Sequence, residues 1–279
     1  MSCDSKFKVL CLHGHPGNSA AMQIFVKHFQ SQGIEAVAID LRGYGNHRTN
    51  ADFAMSDHIQ DIWQVLSNES AHDLTDYLIL GWSLGGILAI ETALRDGAIS
   101  DGLAQNIRIV GLVLIATAAK PRSNLPKIAW WEYANLAIAV ALHRLIPQQN
   151  WHIELFGKRS LIKYLIQQHH RAAYDQIAFT GAKAYVQTSG YAQRALAKAL
   201  RQGYDRTANL GKIAIPCLAI AAAEDRHITA ASTEETAQLL PNCEFICYPN
   251  TAHLLPWEIC DRILTDISQW CDRQGWISK

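Results

Sequence analysis

The chain has 279 residues, 49% of them hydrophobic and 18% charged, which allows a substantial core and excludes a disordered protein. Its 25 Lys/Arg balance 25 Asp/Glu, so no global charge points to nucleic acid as a partner. Seven cysteines, an odd number without metal-ligand spacing and several of them in apolar runs, fit a reduced, cytoplasmic setting.

From the N-terminus, MSCDSKFKVL carries Asp4 and lacks a long apolar stretch, so no secretory signal is expected. Apolar runs of strand length follow at residues 8–12, 35–40, 77–80, 107–116, 215–221 and 244–248. Helical spacing lies between several of them. Residues 19–32 read as a helix capped at Asn18 or Ser19 and stopped by Gly33. Residues 57–66 and 84–95 read as two more, the second stopping near Gly97, with further helices at 233–240 and 258–270. Apolar strands alternating with helices predict a doubly wound, mostly parallel α/β sheet covered on both faces.

The alternation breaks between residues 120 and 206, where no strand is visible and 128–145 and 160–170 look helical. The strand pattern then resumes, so this stretch reads as a helical cap inserted after the fourth strand. The core is then 1–119 and 207–279. Residues 128–146 are long and apolar, but contain Glu132, Asn135, His143 and Arg144 and fall short of roughly 20 clean apolar residues. No transmembrane segment is expected, and this helix should pack over the sheet.

The most informative segment is YLILGWSLGG, residues 77–86. A strand runs through G-x-S-x-G into a helix. A serine hydroxyl is a weak nucleophile until it is projected from the backbone and deprotonated by a base. A sharp strand-to-helix turn projects it, and crowds the positions two residues either side, where Gly81 and Gly85 stand. The helix that follows aims its N-terminal amides and dipole at a developing negative charge. Directly after the first strand comes HGHPG, residues 13–17. An acyl-transfer site needs two N–H donors for its oxyanion, and the backbone amides of Leu84 and His15 are the candidates. The competing reading makes His13 and His15 metal ligands, but no further ligand cluster follows at a helpful spacing, and neither a metal nor a cofactor is expected.

These segments resemble the α/β-hydrolase superfamily: HGHPG its oxyanion loop, DLRGYG at residues 40–45 its D-x-R-G-x-G loop, and GWSLGG its nucleophile elbow. The resemblance spans essentially the whole chain. It implies that the acid follows the strand after the cap, where AAEDRH at 222–227 offers Asp225, with Glu224 as an alternative. It implies that the base follows the last strand, where NTAH offers His253. His227 lies too close to the acid for that role and reads as a surface or pocket histidine. The implied mechanism uses Ser83 as nucleophile, His253 as general base and Asp225 as its orienting acid, with an acyl-enzyme released by water. Because the first parallel strand begins so early, a core of about six strands is expected. His47 stands where the family has serine, and Asp40 reads as structural, paired with nearby backbone or with Arg42.

Between residues 121 and 200 there are ten Lys/Arg and three acids, a net of +7. The rest of the chain, with 15 Lys/Arg and 22 acids, carries −7. A basic cap can simply rest on an acidic body, or recruit an anionic partner such as an acidic acyl-carrier protein. GWSLGG is also similar to the elbow of pimeloyl-carrier-protein methyl esterases. Trp82, Trp130, Trp131 and Tyr133 are candidates to line an acyl pocket beneath the cap. The expected activity is hydrolysis of a carboxylic ester or thioester of a small molecule. The same triad also serves C–C bond hydrolysis or a lyase step, and non-catalytic receptors share the fold. Serine at position 83 argues against the dehalogenases and epoxide hydrolases, which use aspartate there.

Overall fold

Each apolar run becomes one strand of a single sheet. The computed structural model describes residues 6–70, 74–95 and 106–277. The strands are β1 (Lys6–Leu12), β2 (Glu35–Ile39), β3 (Thr75–Trp82), β4 (Ile107–Ile115), β5 (Cys217–Ala222) and β6 (Cys243–Tyr248). All neighbours pair in parallel, in the order β2-β1-β3-β4-β5-β6. The predicted six-stranded, doubly wound architecture is therefore the one observed. The expected helix stop at Gly97 and the reading of Asp4 lie outside the described residues.

The chain turns back after β1, running out to the edge strand β2 and then returning past β1 to β3. This reversal of direction opens a crevice at the carboxyl ends of β1 and β3, where ligand sites of such sheets form. Around the sheet stand α1 (Gln23–Ser31), α2 (Met55–Glu69) and α3 (Leu84–Arg95). Between β4 and β5 come α4 (Trp130–Leu145), α5 (Trp151–Leu155), α6 (Arg171–Asp175), α7 (Ala182–Gln187) and α8 (Gly190–Arg201). The chain closes with α9 (Ala230–Leu239), α10 (Leu255–Glu258) and α11 (Cys260–Arg273). Alternate strand residues feed two cores, as period-2 geometry requires. Val9, Cys11, Leu78, Leu80 and Val113 pack with Phe25, Phe29, Ile263 and Trp270 of α1 and α11. Leu10, Leu12, Ile79 and Leu112 pack with Ile62, Trp63, Leu88 and Ile90 of α2 and α3.

The helix expected at 19–32 starts with a 3₁₀ turn, Ser19–Met22, and its Asn18 side chain does not cap it. The amide of Ser19 donates to Asp40 Oδ1 at 2.7 Å, and Asp40 Oδ2 accepts from Asn46 N–H at 2.8 Å. Asp40 is thus structural through backbone, while Arg42 pairs with Asp61. Burial opposes the Asp40 charge, but these donors win and hold its carboxyl below the usual range.

The stretch between β4 and β5 has no core of its own. Ile153, Ile162, Ile166 and Tyr174 join the first cluster, and Ala192 of α8 joins the second. Residues 160–170 are not the helix their apolar spacing predicts: only a 3₁₀ turn, Leu161–Tyr164, forms. Beyond it the backbone groups are claimed by distant partners. Leu165 carbonyl accepts from Leu254 N–H at 2.9 Å, and the amides of Gln167 and Gln168 donate to Glu258. The helix expected at 128–145 does form, but with Trp130, Trp131 and Tyr133 outward and Glu132, Ala139 and His143 inward. Among the described residues no helix is long and apolar enough to cross a membrane, and the six cysteines there are free.

Candidate active site

Ser83 sits between the last residue of β3 and the first of α3, with φ of 55°, in the left-handed region. Only a sharp, constrained turn holds a non-glycine residue there. A Cβ at Gly81 would run into the Gly85 carbonyl, and one at Gly85 into the carbonyl of Leu12. That crowding is why both positions are glycine. The turn is pinned by Ser83 N–H to Ile115 O at 2.9 Å and by Thr117 Oγ1 donating to Ser83 O at 2.8 Å.

Three side chains meet at the carboxyl ends of β3, β5 and β6. His253 Nε2 lies 3.0 Å from Ser83 Oγ, and His253 Nδ1 lies 2.8 Å from Asp225 Oδ2. All three are nearly inaccessible to solvent. Asp225 Oδ1 accepts from the amides of His227 and Ile228 at 2.7 and 3.1 Å, which leaves Oδ2 for the imidazole. Glu224, the alternative acid, is exposed on the same turn. With Asp225 ionised, Nδ1 is the protonated ring nitrogen and Nε2 presents a lone pair to the serine hydroxyl. The arrangement can take a proton from Ser83 and stabilise the imidazolium that results.

Leu84 opens α3, so its amide has no intrahelical acceptor. The HGHPG loop approaches closely: a Cβ at Gly14 would contact the Trp82 ring at 2.7 Å and Ser83 Cβ at 3.1 Å. His13 is fully buried, with Nδ1 donating to Gly14 O at 2.8 Å and Nε2 accepting from Leu41 N–H at 3.1 Å. Both nitrogens are committed, so His13 is no free ligand. His15 Nδ1 meets the Tyr44 hydroxyl at 2.8 Å. Burial lowers both imidazoles to about 4 and keeps them neutral near pH 7.

Of the four aromatic residues expected around an acyl pocket, only Trp82 is at the site. It is buried, its indole N–H donates to His253 O at 3.0 Å, and its ring meets that of Trp257 edge-on. Trp130, Trp131 and Tyr133 are 80, 44 and 55% exposed, because the inward positions of α4 are occupied by Glu132, Asn135 and Leu136. They line nothing beneath the insertion. A groove of about 650 Å³ lined by Phe53, Ile59, Glu91, Tyr204 and Arg206 contains none of the triad.

One residue at the site escaped the sequence, and another, His227, stands there as a pocket histidine. Glu258 is buried and accepts Ala252 N–H at 2.7 Å through one oxygen and the amides of Gln167 and Gln168 at 2.7 Å through the other. It ties the loop before His253 to the inserted segment, and no spacing signal announces it. His227 stacks on His253, with centroids 4.9 Å apart and planes at 24°. Burial first, and then the neighbouring imidazole, lowers it to about 4. Asp225, His227 and His253 bring potential ligand atoms within 4.8 Å of one another. Stacked rings, however, keep their lone pairs in separate, nearly parallel planes, which do not converge at about 2.0–2.1 Å from one metal ion.

The chain also matches a family model described as "Serine aminopeptidase, S33" over residues 4–259. It belongs to this α/β-hydrolase family. A proline iminopeptidase of Elizabethkingia meningoseptica is 24% identical to this hydrolase over 270 residues, 91% of this chain and 85% of the relative. A stretch of 88 residues, 30% of the chain, is 34% identical to a multifunctional-autoprocessing repeats-in-toxin of Vibrio cholerae serotype O1, of which it spans only 2%. Among solved structures, an esterase from Thermogutta terrifontis aligns with a TM-score of 0.66 at 19% identity, over 96% of this hydrolase and 90% of that chain. That likeness is one of fold.

Proposed function

We propose that this α/β-hydrolase cleaves carboxylic esters or thioesters through an acyl-enzyme, with Ser83 as nucleophile, His253 as base and Asp225 as orienting acid. The continuous Asp225–His253–Ser83 hydrogen-bond chain, 2.8 and 3.0 Å long, carries this reading. Ser83 Oγ attacks the acyl carbon while its proton passes to His253 Nε2. The oxyanion is received by the amides of Leu84 and His15. The imidazolium returns its proton to the leaving alkoxide or thiolate, and water repeats the sequence to free the acid.

The iminopeptidase relative raises aminopeptidase action as the rival. Electrostatics disfavours it, because the segment over the site carries ten Lys/Arg against three acids and repels a substrate's ammonium group. Besides Asp225, which holds His253, the buried carboxylate of Glu258 is already engaged by three backbone amides. Turnover of p-nitrophenyl esters from acetate to decanoate, beside proline p-nitroanilide, separates the two. The expected result is saturable ester turnover that vanishes in Ser83→Ala and exceeds turnover of the anilide. Preference for the anilide selects the peptidase. Equal ester turnover in both proteins refutes the triad.

A further inference from the structure

Helix α4 is built inside out. At 100° per residue its exposed positions, Trp130, Trp131, Tyr133, Ala134, Ala137, Ile138, Ala141, Arg144 and Leu145, occupy one arc of about 160°. All but Arg144 are apolar, and Trp130 and Leu145 are 80 and 77% exposed. The opposite face carries the polar residues. Glu132 binds Lys163 at 2.7 Å, and His143 lies between His152 Nε2 at 2.9 Å and Asp175 Oδ1 at 2.7 Å. The inward hydrogen bonds fix which side of α4 faces the protein, so the apolar arc is fixed outward. Next to it, α5 adds Trp151 and Leu155, each almost half exposed. A contiguous aromatic and aliphatic face of this kind marks an interaction surface.

The charges around the arc select the occupant. Arg144 lies within it and donates to Ala178 O. The backbone of Arg159 is held by Asn135, and Arg171 reaches Gln148 just past the end of α4. Lys127, Arg159 and Lys183 are exposed without an acidic partner among the described residues. The three acids of the region are occupied: Glu132 by Lys163, Glu154 by Lys158, and Asp175 by His143. A symmetric dimer through this face would bring the unpaired cations beside it against their own copies, which like-charge repulsion opposes. Indole and phenol rings on an apolar stripe, bordered by Lys and Arg, match instead the boundary of a lipid bilayer with anionic headgroups.

We infer that the outer face of α4, with Trp151 and Leu155 of α5, docks on an anionic lipid surface. The rings and aliphatic side chains enter the headgroup region and the surrounding cations meet lipid phosphates. The inference stands apart from the hydrolytic reading, because docking needs no turnover. The binding experiment therefore uses Ser83→Ala protein, so that vesicle lipids stay intact.

Co-sedimentation with phosphatidylcholine vesicles, with and without phosphatidylglycerol, measures the partition. Binding is expected to the phosphatidylglycerol vesicles and to weaken at least ~10-fold when ionic strength rises from about 0.1 to 1 M. Placing Ile138→Glu and Leu145→Glu in the same background should weaken it at least ~10-fold again. In the Ser83-bearing protein the same pair should leave turnover of a soluble ester unchanged, which reports that the fold is intact. Quenching of tryptophan fluorescence by brominated phosphatidylcholine in mixed vesicles gives a readout needing no variant. No binding to anionic vesicles, or no quenching on binding, overturns the proposal. So does a dimer in sedimentation velocity that the Glu pair abolishes, or retention on an acidic acyl-carrier protein without vesicle binding.

Discussion

Helices α3 and α4 are both predominantly apolar, yet they bury opposite kinds of residue. In α3 the buried side includes Leu84, Ile87, Leu88 and Ile90, packed against the strands. In α4 the buried positions are Glu132, Ala139 and His143, while most of its large side chains meet solvent. Sheet and helix α3 are held together by removal of apolar surface from water, a strong but non-directional force. The inserted segment shares that core through Ile153, Ile162, Ile166 and Tyr174, but it also carries buried directional contacts, such as Lys163–Glu132, Asp175–His143–His152 and the Glu258 clamp. The contrast teaches that hydrophobicity alone does not say which way a helix faces. A few buried polar groups can decide it, because each costs free energy when left unpaired.

Substitutions across the two regions should widen the contrast. The largest effect is expected at the site itself: Ser83→Ala should lower ester kcat by a factor of ~10³ or more, read by initial rates, with the thermal midpoint nearly unchanged. In the core, Leu88→Ala should cost about 2–5 kcal/mol by urea denaturation, since the side chain is fully buried. Glu258→Gln should cost about 1–3 kcal/mol, because one amide oxygen cannot serve donors on both sides, and should depress kcat/KM with it. Ile138→Ala on α4 should fall within about 0.5 kcal/mol of the parent. A loss there comparable to Leu88→Ala would erase the distinction between the two helices.

Acid should test the burial of neutral imidazoles. His13, His15, His58 and His227 are each lowered by burial from 6.5 to about 4. Between those values the unfolded chain binds more protons than the native one, so stability rises with pH. Their contribution is complete above about pH 6.5 and is lost as pH falls toward 4. The thermal midpoint should drop across that window, and less steeply in His58→Asn.

Much of the core was legible because its signals are local. A strand buried on both faces must read as an apolar run, and the turn at Ser83 must have glycine at positions 81 and 85. Asp225 and His253 could be ordered along the chain only through the resemblance, since nothing in their spacing joins residues 28 apart. The insertion resisted reading for a physical reason. Leu161, Ile162, Leu165 and Ile166 have helical spacing, but past one 3₁₀ turn the Leu165 carbonyl is taken by Leu254 and the amides of Gln167 and Gln168 by Glu258, about 90 residues away. In α4 the apolar pattern predicted burial of Trp130, Trp131 and Tyr133. The orientation was set by Glu132 and His143, whose partners Lys163, His152 and Asp175 lie on other segments.

The Glu258 carboxylate joins two jobs that could have been separate. Its two oxygens hold the loop that delivers His253 and the strap at Gln167–Gln168 that runs across from the insertion. Without the strap's amides Glu258 would keep only one of its three donors, a costly state for a buried carboxylate. The insertion and the loop that carries the imidazole thus share one carboxylate as their common anchor.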